Sequence, residues 1–209
     1  MRKNLPRSIA GPLALFLLVA ASLAGCGTET KLPRLASDAP LLAFGDSITH
    51  GTGAGAGEDY PAVLQEMIGR RVINAGVPGE TSAGGLARLP RALEEHRPGL
   101  VILCLGGNDF LRKLDPAQTR ANLDRMIAMI RASGIPVVLV AVPQVALLGG
   151  NDPVYEELAR QHRLVLEDEV LNDVLRDRDL KSDPIHPNAQ GYRRVAETLA
   201  KLLKERGAV

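Results

Sequence analysis

From residue 40 onward, five short apolar runs alternate with longer amphipathic segments, a rhythm that few folds can satisfy. Leu41–Phe44, Val72–Ala75, Leu100–Leu105, Val137–Val142 and Leu164–Leu166 are β-branched or Leu-rich. Such short, continuous apolar runs read as strands buried on both faces. Between them, the segments at 59–69, 82–96, 116–133, 152–162 and 188–205 read as helices. Asp115-Pro116 suits a helix start, with Asp as the cap and Pro in the first turn, and Asn188 is placed to cap the last helix. The stretch 168–185 reads as a short helix followed by a loop. Strand–helix alternation closes into a parallel sheet with helices on both faces. No internal repeat or second domain is visible, and 209 residues supply one domain with a sizeable core.

In sheets of this kind, ligands sit beyond the carboxyl ends of the strands, at the point where strand order reverses. Every unusual motif of the chain falls there. Gly45-Asp46-Ser47-Ile-Thr follows the first run and Gly76–Thr81 the second. Gly106-Gly-Asn108-Asp109 follows the third, and Asp183-Pro-Ile-His186-Pro-Asn lies beyond the fifth. In a flavodoxin-like strand order, 2-1-3-4-5, Ser47 stands between the Gly79 loop and the Asn108 loop.

These residues fit a nucleophilic hydrolase. A serine hydroxyl is a poor nucleophile at its own pKa and needs a neighbouring base; a neutral histidine takes its proton near pH 7. Asp183, three residues before His186 on a turn stiffened by Pro184 and Pro187, can reach back to the ring Nδ1 and fix its tautomer. Ser47 is then the nucleophile, His186 the base and Asp183 the orienting carboxylate. A tetrahedral intermediate also needs donors for its oxyanion, and the candidates are the Ser47 N–H, the Gly79 N–H and the Asn108 amide. Asp46 and Asp109 read as turn-formers that accept nearby N–H groups. Taken singly, Ser47 is an ordinary helix cap and His186 an ordinary loop histidine; the combination at neighbouring strand ends is what argues for catalysis.

The first 25 residues read as a secretory signal. Arg2, Lys3 and Arg7 precede an apolar run, Ile9–Ala24, that is short for a hydrocarbon core of ~30 Å. The run ends in Leu23-Ala-Gly-Cys26, which is similar to the bacterial lipoprotein signal, in which the cysteine becomes a lipidated N-terminus. Ordinary cleavage after Ala24 is the alternative. Acyl chains on Cys26 would anchor the chain, at about 0.8 kcal/mol per buried methylene. Residues 26–39 then read as lipidated cysteine plus tether, and residues 40–209 as the domain. The whole chain has 25 basic and 24 acidic residues; without residues 1–25 the balance is 22 against 24. With no long basic run, nucleic acid is not an expected partner. The other cysteine, Cys104, sits in an apolar run and reads as a small buried hydrophobe. Aromatics are scarce, so a substrate pocket is expected to be lined by aliphatic groups and backbone. The glycines at 51, 53, 55 and 57 begin too far past the first strand for a dinucleotide turn and read as a flexible rim of the active site. No Cys/His cluster has zinc-ligand spacing; His50, His96 and His162 are scattered, the first within reach of a cleft.

Four separated blocks, Gly-Asp-Ser-Ile-Thr at 45–49, Val-Pro-Gly-Glu-Thr-Ser around Gly79, Gly-Gly-Asn-Asp at 106–109 and Asp-Pro-Ile-His-Pro-Asn at 183–188, resemble those of the SGNH (GDSL-type) hydrolases. Gly84-Gly85-Leu-Ala-Arg-Leu-Pro and the final block look most like the branch of bacterial lysophospholipase/thioesterase I and arylesterases. The resemblance covers about residues 40–205. It implies a three-layer α/β/α sandwich with a five-stranded parallel sheet, no cofactor, no metal, and hydrolysis of esters or thioesters. By it, Ser47, Gly79, Asn108 and His186 take the family's four named roles and Asp183 completes the triad. Residues 143–152 depart from the thioesterase pattern, leaving the substrate open. Leu147 and Leu148 are expected either to form an apolar lip, with Gly149-Gly150 as hinge, or to pack on the sheet edge.

The expected partners are a small-molecule or lipid ester and, through Cys26, a bacterial envelope membrane on its extracytoplasmic side; a monomer is expected. An O-acetyl esterase acting on envelope sugars, and a non-enzymatic lipoprotein binding an anion or nucleotide at the switch point, are the alternatives.

Overall fold

A strand flanked by neighbours on both sides and covered by helices above and below must be apolar at consecutive positions, and the three interior strands carry that signature. A computed structural model describes Met1, residues 30–144 and residues 150–209. In it β1 (Leu41–Gly45) and β3 (Leu100–Cys104) are buried at every position. β4 (Val137–Val140) is buried throughout as well, while the edge strands β2 (Val72–Gly76) and β5 (Val165–Glu167) are only partly covered. The sheet is parallel, in the order β2-β1-β3-β4-β5, as expected. Register aligns Gly45 with Gly76 on one side and with Cys104 on the other. The first three strands therefore end level, and their loops emerge side by side.

The long helices start where capping chemistry places them. In α2 (Tyr60–Ile68), α5 (Pro116–Ala132) and α6 (Pro153–His162), an Asp caps the first turn and Pro occupies one of its first two positions. Asn188 caps α8 (Ala189–Glu205) by accepting from Gly191 N–H at 3.0 Å. α2 packs on α8 and α3 (Ser82–His96) on α5, which forms the two helical layers.

Several elements differ from expectation. β3 stops one residue early and β4 two residues early, at Val140; β5 begins one residue late. Two short helices, α1 (Ser47–His50) and α4 (Gly107–Leu111), occupy the turns after β1 and β3. Four or five residues are too few to show a helical period in sequence. The stretch 168–185 holds α7 (Val170–Arg176), a single 3-10 turn at Arg178–Leu180 and a loop, close to the expectation.

The larger correction is at the N-terminal side. Of the expected tether, residues 26–39, the part from 32 onward lies against the domain. Leu32 and Leu35 are buried, and their N–H groups donate to Arg206 O and Ala208 O, each at 2.9 Å. Both leucines belong to the main hydrophobic core. All of the expected signal segment 1–25 except Met1, and also Cys26, Leu147, Leu148 and Gly149, lie outside the described residues. Gly150, the other half of the expected hinge, accepts from Gln144 N–H at 3.1 Å, next to a Pro143–Asn151 bridge.

Candidate active site

Ser47 owes its position to Asp46. At the end of β1 the chain turns into α1, and Asp46 is the N-cap: its Oδ1 accepts from Ile48 N–H at 3.1 Å. The cap role therefore belongs to the neighbour, and Ser47 is the first residue of the helix, its hydroxyl not used in capping. At that position the backbone N–H groups have no partner within the helix.

His186 arrives from the opposite side, on a loop braced at its base. Asn188 N–H donates to Leu180 O and Ser182 N–H to His186 O, each at 3.0 Å. Asp183 uses its two oxygens for two jobs. Oδ1 accepts from the N–H groups of Ile185 and His186, both at 2.8 Å, and holds the turn. Oδ2 lies 2.7 Å from His186 Nδ1. An ionised carboxylate only accepts, so Nδ1 carries the hydrogen, and in the neutral ring Nε2 is left as the acceptor. Nε2 lies 3.0 Å from Ser47 Oγ. Partial burial pushes the Asp183 carboxyl upward, but the hydrogen bonds from His186 and Ile185 and the histidine's charge outweigh it and hold it below the usual carboxylate value. Ser47, His186 and Asp183, the three residues of the sequence reading, thus form one hydrogen-bonded chain.

Asn108 and Gly79 sit on the other two strand-end loops, which are sewn to each other. Asn108 Nδ2 donates to Glu80 O at 3.0 Å and to Asp46 Oδ2 at 3.3 Å. Arg112 Nη2 donates to Gly79 O at 2.7 Å. Gly79 has a φ of +76°, which a side chain would disfavour. Asp109 differs from expectation: it accepts from Ser82 N–H at 2.7 Å and Ser82 Oγ at 2.6 Å, 27 residues back in sequence, and from Thr119 Oγ1. It pins α3 to the Asn108 turn and does not merely close its own. Asp46 is 2 % exposed. Burial drives its pKa up to about 6, against the opposing pull of the Ile48 N–H, the His186 charge and the Asn108 amide.

Ser47, Asn108 and His186 open onto one cavity of about 140 Å³. Its wall is mainly apolar, with Phe110, Leu111, Val142, Pro143, Leu175 and Ile185, and Asp46, Lys113 and Gln144 add polar groups. The aliphatic lining was expected; Phe110 was not. It stands edge-on to Tyr155 at 6.3 Å between ring centroids, and the Tyr155 hydroxyl donates to Leu105 O. Leu175 was hidden in the ambiguous stretch before the triad loop. Ile185 lay inside a motif read only for its polar residues.

Other expectations move. None of the glycines at 51–57 lines this cavity. Gly53 instead lies behind the His186 loop, where a Cβ would come 2.1 Å from Ser182 Oγ and 2.6 Å from Pro187 O. His50 is exposed and does not line the cavity, and His162 pairs with Asp124. Cys104 is buried, and burial raises its thiol pKa well above the ordinary value. Among the described residues, no group of three or more His, Cys, Asp or Glu is placed to hold a metal ion, and no helix is long and apolar enough to cross a membrane.

Comparison with known proteins gives the family. The model of the GDSL-like Lipase/Acylhydrolase family matches residues 43–194. The esterase TesA of Pseudomonas aeruginosa is 36% identical over 193 residues, spanning 87% of this chain and 96% of that protein. The thioesterase 1/protease 1/lysophospholipase L1 of Escherichia coli K12 is 32% identical over 179 residues, spanning 82% and 86%. The crystal structure of TesA superposes with a TM-score of 0.71 at 34% identity, covering 80% of this chain and 99% of that one. With a family match reaching from β1 into α8, the same fold and relatives alike over most of their length, this chain belongs to the GDSL-like lipase/acylhydrolase family.

Proposed function

We propose that the chain hydrolyses carboxylic esters by acyl transfer through Ser47. The observation that carries this is the unbroken contact from Asp183 to His186 to Ser47, at 2.7 and 3.0 Å. Ser47 Oγ attacks the ester carbonyl as His186 Nε2 takes its proton; Asp183 holds Nδ1–H and stabilises the imidazolium. The oxyanion forms beside the Ser47 N–H, the Gly79 N–H and the Asn108 amide. Both amide hydrogens of Asn108 already have acceptors, and the longer bond, to Asp46, is the one an oxyanion displaces. His186 then protonates the leaving alcohol or thiol, and a water activated by the same nitrogen releases the acid.

The apolar wall favours an acyl chain over a sugar O-acetyl group, and the relatives named as esterase, thioesterase and lysophospholipase point to the same class. A chain-length series of p-nitrophenyl esters separates the two: turnover rising from acetate to longer acyl groups supports the acyl reading, and acetate preference supports the sugar one. Ser47→Ala is expected to fold normally and lose at least about 10⁴-fold in kcat. A fluorophosphonate probe should label Ser47 in the unmodified chain; an unlabelled, correctly folded protein would return the non-enzymatic binding reading to first place. Cys26 is the proposed lipid anchor on the extracytoplasmic side of a bacterial membrane, motivated by Leu23-Ala-Gly-Cys26. Cys26→Ser should abolish palmitate incorporation in cells, and incorporation at the unmodified level would sink the anchor.

A further inference from the structure

Arg88, on α3, makes more contacts near the site than an ordinary ion pair needs. Its Nε donates to Glu80 Oε1 at 2.7 Å, and its Nη2 reaches Glu80 Oε2 at 2.6 Å, Ala75 O at 2.8 Å and Gly45 O at 3.1 Å. The guanidinium carbon lies 3.8 Å from the centroid of the Phe44 ring. The side chains of Arg88 and Glu80 are 26% and 9% exposed, so the pair is well shielded from solvent.

The partners of this one group map onto the three oxyanion donors. Gly45 immediately precedes Asp46-Ser47. Ala75 is in β2, and Glu80 follows Gly79. The Glu80 main-chain carbonyl in turn accepts from Asn108. The main-chain ladder holds β1 to β2 as far as Gly45 O, which also accepts from Val77 N–H at 3.0 Å. Past that point the loops carrying Ser47 and Gly79 leave the ladder, and Arg88 ties the last ladder carbonyls to Glu80. The planar fork of an arginine can satisfy a carboxylate and main-chain carbonyls at once, and Phe44 holds its plane. We propose that Arg88, acting through Glu80, is a positioning residue that sets the distance between the Ser47 and Gly79 donors, and so the width of the oxyanion site. The inference rests on the ester-hydrolase reading above.

The consequence is selective. Misplacing a donor weakens transition-state stabilisation and leaves binding of the ground-state ester largely alone. Arg88→Met is expected to lower kcat about 100-fold while KM changes less than about 3-fold. The inhibition constant of an alkyl trifluoromethyl ketone, whose hemiketal oxygen mimics the oxyanion, should rise by the factor that kcat/KM falls. Arg88→Lys keeps the charge but not the fork and should recover about 10-fold of that loss. The acid limb of the pH–rate profile should not move, because nothing in the His186 loop has changed. Fluorophosphonate should still label one serine per chain at completion, only more slowly.

Wild-type kcat in stoichiometrically labelled Arg88→Met overturns the proposal. So does a fall in kcat matched by an equal fall in label stoichiometry, which marks a structural role through lost folded protein. Should Arg88→Met not fold, Glu80→Gln carries the same test with an expected loss of about 10-fold and the same overturning results. Absence of label in the unmodified chain is a separate failure, that of the ester-hydrolase reading itself.

Discussion

The turn after β1 and the loop before α8 each place an aspartate beside a reacting group, and each aspartate accepts the N–H two residues further on. Asp46 does so for Ile48 and Asp183 for Ile185. There the likeness ends. Asp46 is buried beneath the site and its carboxyl is pushed up to about 6. The Asp183 side chain is 44% exposed, and its carboxyl is held below the usual value. The same local turn thus gives opposite protonation behaviour, decided first by burial, which raises Asp46, and then by how strongly the second oxygen's partner opposes it. Asp183 Oδ2 receives an imidazole N–H at 2.7 Å, close to a site of positive charge; Asp46 Oδ2 receives only an amide at 3.3 Å, inside the protein. One carboxylate is arranged to stay charged and stabilise charge on the ring. The other is arranged as a buried strut between the nucleophile turn and Asn108.

The sharpest way to break this contrast is to remove each charge in place. Asp183→Asn should reduce kcat on a p-nitrophenyl ester by about 10³–10⁴-fold, because an amide nitrogen facing Nδ1 favours the wrong tautomer. A loss under about 10-fold in initial rates would mean the two aspartates are not functionally distinct.

Stability against pH comes next. Asp46 has a folded pKa near 6 and an unfolded one near 3.9, so the folded state binds more protons between them. Its contribution to stability falls as pH rises from about 4 to about 6, by about 3 kcal/mol at most. Asp183 runs the other way: its contribution is present above the unfolded value and is lost as pH falls through the lowered folded one. Urea melts across pH 3–7 should show the Asp46→Asn variant gaining on the unmodified chain as pH rises through that window. Parallel curves would refute the raised carboxyl.

The smallest expected effect is on turnover by Asp46→Asn itself. The Asn carbonyl can still cap Ile48, so kcat should fall only about 10-fold near pH 7. A loss as large as that of Asp183→Asn would give Asp46 a direct part in the chemistry.

Much of this was legible in the chain. Runs such as Leu41–Phe44 and Leu100–Leu105 showed buried strands because a strand covered on both faces has no polar period to hide. Ser47, Asn108, Gly79, His186 and Asp183 stood out only in combination, because all of them follow strand ends that a parallel sheet brings together. The misses have a common cause. α1 and α4 are shorter than the window in which a helical period can be read. The role of Asp109 depends on Ser82, 27 residues away, and that of Gly53 on the loop around Ser182 and Pro187. Leu32 and Leu35 looked like tether because their partners, Arg206 and Ala208, are at the other end of the chain.

By itself, then, the sequence determined the number and kind of elements and the chemical types gathered at the strand ends, since burial period, capping and side-chain acidity are local properties. Only the tertiary structure decided that His186 meets a serine 139 residues away, that Asp46 is buried while Asp183 is not, and that one arginine grips both β1 and β2. Those facts depend on how loops from non-adjacent elements pack against each other. Distance and desolvation across such contacts vary with fractions of an ångström that no residue's own preferences specify.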